Sequence, residues 1–107
     1  MKKTYNDYLQ MVVNGEIHLS RVPKKYRTEE LCLEAVKVNA LMFYEVPKKV
    51  MTEEMCLIAV KKYGHLLSEV PKKFRTEKIY KIGLKSDRFF FERVPAGLQR
   101  EVFFGTA

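Results

Sequence analysis

The chain has 107 residues, with 20 Lys and Arg against 13 Asp and Glu, a formal charge of +7, and 47% hydrophobic residues. That length and composition suit one folded domain, exclude a disordered linker, and favour acidic partners over basic ones. The sequence has no apolar run near the ~18 residues of a membrane span, and MKKTYNDYLQ has no signal-peptide core, so a cytoplasmic protein without membrane attachment is expected.

In chain order, the first predicted helix opens near Thr4, with Val12 and Leu19 as apolar positions behind it. From Val22 onward the pattern returns: Val-Pro stands at Val22-Pro23, Val46-Pro47, Val70-Pro71 and Val94-Pro95, once every 24 residues. The full units read VPKKYRTEELCLEAVKVNALMFYE, VPKKVMTEEMCLIAVKKYGHLLSE and VPKKFRTEKIYKIGLKSDRFFFER, without insertion or deletion. Thr4, Val12 and Leu19 hold the frame of Thr28, Val36 and Phe43, so the first unit has lost only its VPKK. Units are expected at about 1–21, 22–45, 46–69 and 70–93, with a terminal half-unit at 94–107.

Within a unit, the Thr28 hydroxyl can accept an orphan amide of a first helical turn, and Glu29 and Glu30 suit the positive end of the helix dipole. Leu31, Cys32, Ala35, Val36 and Asn39 share one face at helical spacing. This predicts a helix from about Thr28 to Val38 that buries the stripe. Met55, Cys56, Ala59 and Val60 repeat it. A break near Asn39-Ala40 or Tyr63-Gly64 precedes a short apolar turn, Leu41 to Tyr44 or Leu66 to Ser68, which proline ends. Stacking lines up the small residues Ala35, Ala59 and Gly83, where neighbouring helices approach closely. The expected fold is an all-α solenoid of about four 24-residue helix-turn-helix units. Asp7, at the position of Leu31 and Met55, suits a polar N-terminal cap, while Phe103 and Phe104 make the C-terminal edge apolar.

The run Thr-Glu-Glu-Leu-Cys-Leu-x-Ala-Val-Lys, followed by an apolar turn and Val-Pro, resembles a bacterial helical-repeat family known mainly as a domain of unknown function. The resemblance spans roughly Thr4 to Pro95 and is strongest over Thr28 to Val36 and Thr52 to Val60. It implies helical units in tandem and brings no established catalytic residues.

Catalysis needs a nucleophile, a base and an orienting group that converge, or a metal-ligand cluster, and no such constellation can be assembled here. There is no HExxH, Gly-rich phosphate loop or Cys/His spacing for a metal. No catalytic residue, cofactor or metal ligand is assigned, and a non-enzymatic protein is expected. Cys32 and Cys56 fall in the apolar helix stripe and read as buried, reduced thiols. His65 shares its position with Ile17, Leu41 and Phe89, and His18 with Met42, Leu66 and Phe90, so both read as half-buried packing residues.

Lysines recur as ladders: Lys24, Lys48 and Lys72; Lys25, Lys49 and Lys73; Lys37, Lys61 and Lys85. On a solenoid such rows advance by about 10 Å per unit. The two VPKK rows, with Arg27, Arg75, Tyr26 and Phe74 as anchor or stacking groups, form the candidate partner-binding surface. Lysines that only solubilise the connectors are the plainer reading, and Glu29, Glu53 and Glu77 recur close enough to neutralise some charge. Variation concentrates at Tyr26/Val50/Phe74, Arg27/Met51/Arg75 and Tyr44/Ser68/Glu92, where a partner can be distinguished. The expected function is a protein-binding module for an acidic surface. Small size and charge also suit an inhibitor in the charged groove of a nucleic-acid-processing enzyme, such as a phage-encoded anti-defence protein. The alternative is sequence-nonspecific nucleic-acid binding through the lysine ladders.

Overall fold

The structure of the chain, a computed structural model, describes residues 2–86 and 94–99. The apolar edge expected at Phe103 and Phe104, and the variable position Glu92, lie outside the described residues. Three threonines of the repeat start helices from extended backbone. Thr4, Thr28 and Thr52 accept through Oγ1 from the amides of Asp7, Leu31 and Met55, each at 3.3 Å. A cap of this kind is worth about 1 kcal/mol, and Glu29, Glu30, Glu53 and Glu54 add favourable charge to the first turns. The helices are α1 (Tyr5–Val13), α2 (Glu29–Val38), α3 (Glu53–Lys62) and α4 (Glu77–Ser86).

Helices α2 and α3 end at Asn39 and Tyr63, whose extended backbone turns the chain into 3₁₀ segments at Ala40–Glu45 and Gly64–Glu69. Asn39, expected on the buried stripe, is exposed, and its Oδ1 accepts from the Leu41 amide at 3.0 Å. Its side chain therefore starts the second segment instead of filling the core. The first unit leaves α1 differently, through Gly15 at φ +74. The Gly15 amide donates to the Val12 carbonyl at 3.0 Å, and the Glu16 amide to Met11 at 2.8 Å. This closure needs the left-handed backbone that glycine adopts freely.

The VPKK segment, expected as a connector, is itself structured. Lys24–Tyr26, Lys48–Val50 and Lys72–Phe74 are 3₁₀ turns opened by proline. They close where the amides of Tyr26, Val50 and Phe74 donate to the carbonyls of Pro23, Pro47 and Pro71 at 2.9, 3.1 and 2.9 Å. Proline fits because its missing amide would have no partner at that point.

Equivalent positions form buried columns along the stack. Val12, Val36 and Val60 make one, Leu19, Phe43 and Leu67 a second, and Leu31, Met55 and Ile79 a third. Ala35, Ala59 and Gly83 are also buried, at the small position where consecutive helices meet. The valine of every Val-Pro pair, at 22, 46, 70 and 94, belongs to the same core. Each buried valine contributes roughly 1.5 to 3 kcal/mol. Successive helices pack on one another, as do the 3₁₀ segments behind them, giving an all-α stack of 56 × 22 × 16 Å. At the N-terminal end Asp7 is exposed, and its carboxylate accepts from the Thr4 amide at 2.7 Å. That bond and the Thr4 hydroxyl hold its pKa below the usual carboxylate range. No helix among the described residues is long and apolar enough to cross a membrane.

Candidate functional site

The proline-opened turns present Lys24, Lys25, Lys48, Lys49, Lys72 and Lys73 to solvent. Identical in sequence context, they differ in what they do. The Lys25 ammonium lies 5.0 Å above the Tyr26 ring and that of Lys73 5.1 Å above Phe74. Cation–π pairs of this exposed kind are worth about 0.5 to 1 kcal/mol. Lys48 donates to the backbone carbonyl of Glu69. Lys24, Lys49 and Lys72 form no hydrogen bond or ion pair with another described residue. The neighbouring carboxylates pair elsewhere, Glu53 with Lys78 at 3.9 Å and Glu77 with Lys81 at 2.9 Å.

Tyr26 and Phe74 are half-buried against the core rather than displayed. Tyr26 sits 6.1 Å from the Tyr5 ring and 5.5 Å from Tyr8, and the Tyr5 hydroxyl is 2.7 Å from the Thr28 hydroxyl. Tyr26 thus fastens the N-terminal helix to the next unit. Arg27 and Arg75 are also bound into the fold. Arg27 donates through Nε to the Val22 carbonyl at 2.9 Å, through Nη2 to Ser20 at 3.1 Å, and through Nη1 to Glu45 at 3.4 Å. Arg75 repeats the first two bonds with Val70 at 2.8 Å and Ser68 at 3.5 Å. These guanidinium groups satisfy carbonyls left open where a 3₁₀ segment ends. In the middle unit Met51 replaces the arginine and is only 4% exposed.

The histidines depart from the packing expectation, and both are exposed. In a 3₁₀ segment residues i and i+3 lie one above the other. Phe43 and Ala40 therefore share the buried ridge, while Leu41 and Tyr44 share an outward one. His65 and Ser68 take that outward ridge in the next unit, and the Ser68 hydroxyl donates to the His65 carbonyl at 3.2 Å. His18 caps the short turn Leu19–Arg21, accepting from the Ser20 amide at 3.1 Å. Cys32 and Cys56 are free, buried thiols. Burial pushes both up to about 11, against a weaker opposing pull from Arg27 at Cys32 and Lys48 at Cys56. At neutral pH neither is a thiolate. No group of three or more His, Cys, Asp or Glu comes together as a metal site among the described residues.

The outward ridge adds a feature absent from the lysine-centred reading. Tyr44 is 49% exposed and stands between two shallow cavities. One, of about 580 Å³, is lined by Tyr44, His65, Leu67, Ser68 and Arg75. The other, of about 410 Å³, has Lys24, Arg27, Glu45, Pro47 and Lys49 beside the same tyrosine. The sequence marks Tyr44 only as a variable position, with serine at the equivalent 20 and 68. A large aromatic residue at an otherwise small, polar position is the signal that finds it.

Stacked units with a basic, structured connector face define an all-α tandem-repeat protein. Residues 29–75, from α2 to the second arginine, match the model of a family described as "Domain of unknown function (DUF4116)". The match takes in Glu29-Glu30-Leu31-Cys32 and its repeat Glu53-Glu54-Met55-Cys56, and over those residues it bears out the resemblance. No curated protein and no solved structure matches the chain.

Proposed function

We propose that the chain is a non-catalytic protein-binding module whose connector face engages an acidic surface of a partner protein. The observation that carries this reading is the state of Lys24, Lys49 and Lys72: exposed, held on proline-opened turns, and without a partner among the described residues. A short 3₁₀ turn restricts the backbone beneath each ammonium, which reduces the entropy lost on binding. Unpaired charge of one sign on such a face steers an oppositely charged partner and raises the association rate.

Affinity capture with the immobilised chain, with and without nuclease, followed by salt elution, tests the proposal. The expected result is retention of an acidic protein that survives nuclease treatment and elutes early in a salt gradient. Retention that nuclease abolishes, together with a salt-steep electrophoretic shift of duplex or single-stranded DNA, would replace it with nucleic-acid binding.

A further inference from the structure

Tyr44 lines both cavities, so the two meet at its side chain as neighbouring parts of one shallow groove. Cationic groups bound the groove at both ends. Lys24, Lys49 and Arg27 line one side of Tyr44, while Arg75 lines the other and Glu45 supplies a carboxylate to set against them. The arginines already donate to backbone carbonyls, but a guanidinium has five N–H donors, so each keeps some for a ligand. Tyr44 differs from the other exposed side chains of the groove in having a large apolar surface. Apolar anchors flanked by charge are the usual energetic centre of a peptide-binding surface.

We propose that this groove receives an extended acidic segment of the partner protein, with an apolar residue of that segment on Tyr44 and carboxylates toward Lys24 and Arg75. This rests on the protein-binding reading above and gives it a location. The dimensions agree: Arg27 and Arg75 are two units apart, about 20 Å at the usual helix spacing, which an extended chain covers in about six residues. The chemistry favours a peptide over a single nucleic-acid strand. Strand binding uses successive aromatic platforms, one per base, whereas this ridge has serine at positions 20 and 68 on either side of Tyr44. Tyr26 and Phe74, the other rings of the connector face, already have lysines above them.

The test is an NMR titration of the ¹⁵N-labelled full chain with the synthetic peptide Glu-Asp-Glu-Leu-Glu-Asp-Glu, with a Leu-to-Ser version and with oligothymidine. Three variants are titrated alongside: Tyr44→Ser, Lys24→Gln with Lys49→Gln, and Lys61→Gln with Lys85→Gln as an equal charge loss elsewhere. Tyr44 is exposed, and an unchanged amide spectrum outside the ridge checks that each variant is folded. Amide shifts centred on Tyr44, His65 and Ser68 are expected. Tyr44→Ser and the Leu-to-Ser peptide should each weaken binding by roughly five- to thirtyfold, the range for losing an anchor. The groove lysine pair should cost more affinity than the Lys61 and Lys85 pair. Peptide binding that shifts other residues, or that Tyr44→Ser leaves unchanged, overturns the groove while the acidic-partner reading stands. Absence of peptide binding overturns the groove, and oligothymidine shifts in its place overturn both readings.

Discussion

The Lys48 ammonium donates to the backbone carbonyl of Glu69. In the preceding unit the equivalent carbonyl, Glu45, receives the Arg27 guanidinium at 3.4 Å. Where Met51 interrupts the arginine ladder, a lysine three residues earlier supplies the missing donor, so one ladder's break is compensated by another. Lys48, exposed like its sequence equivalents Lys24 and Lys72, thus holds a bond to the fold that they lack. Lys48→Gln should lower stability by roughly 0.5 to 1.5 kcal/mol, the worth of one hydrogen bond, and Lys24→Gln by much less. Urea denaturation of the two variants checks this, and equal midpoints would contradict it.

Arg27 joins three carbonyls, from Ser20, Val22 and Glu45, through a planar fork. A lysine cannot reproduce that geometry with one ammonium. Arg27→Lys is expected to cost about 1 to 3 kcal/mol despite conserving charge, because carbonyls at a segment end lose their donors. Thermal unfolding at matched salt measures it. A variant with wild-type stability would show that charge, and not the fork, is what the site requires.

Gly15 holds φ +74, and a Cβ built there meets nothing closer than Val38 Cγ1 at 3.9 Å. Space is therefore available, and the backbone conformation is the constraint. Gly15→Ala should destabilise by about 1 kcal/mol, while Gly97→Ala, with nothing within 4 Å of its Cβ, should change little. A chemical denaturation curve for each variant separates the two, and a silent Gly15→Ala would mean that the first unit can exit α1 as its neighbours do.

Cys32 and Cys56 titrate at 9.0 when unburied and are raised to about 11 in the fold. The folded state therefore prefers the protonated thiols. Their contribution is fully present below pH 9 and is lost as pH rises from 9 through about 11. The urea midpoint of the wild type should fall more steeply across that window than that of the Cys32→Ala, Cys56→Ala double variant. Parallel curves would contradict the burial of both thiols.

Particular residues show why the architecture is readable from sequence while half of the site is not. Thr28 and Thr52 cap helices through a bond within three residues, and Val22, Val46 and Val70 recur at a constant interval, so local chemistry and period are enough. His65 misleads because the equivalent positions hold the apolar Ile17, Leu41 and Phe89, whereas the threefold period of the 3₁₀ segment turns position 65 outward with position 68, and Leu41 one unit earlier is exposed as well. Arg27 and Lys48 mislead for a different reason. Their acceptors, Glu45 and Glu69, lie 18 and 21 residues away and are backbone carbonyls, which the sequence does not distinguish from any others. A lysine bound into the fold and one left to a partner are the same letter.

Partner capture rests on the free connector lysines, and the association rate of the captured partner with a Lys24→Gln, Lys49→Gln, Lys72→Gln variant tests their role most directly. These three side chains hold nothing in the described fold, so folding should be unchanged while one sign of charge is removed from the binding face. Long-range attraction acts mainly on encounter and is screened by salt. The expected result is an association rate reduced by about tenfold or more at low salt, a flatter dependence on salt, and a smaller change in dissociation. A folded triple variant that associates at the wild-type rate across the whole salt series would contradict the account.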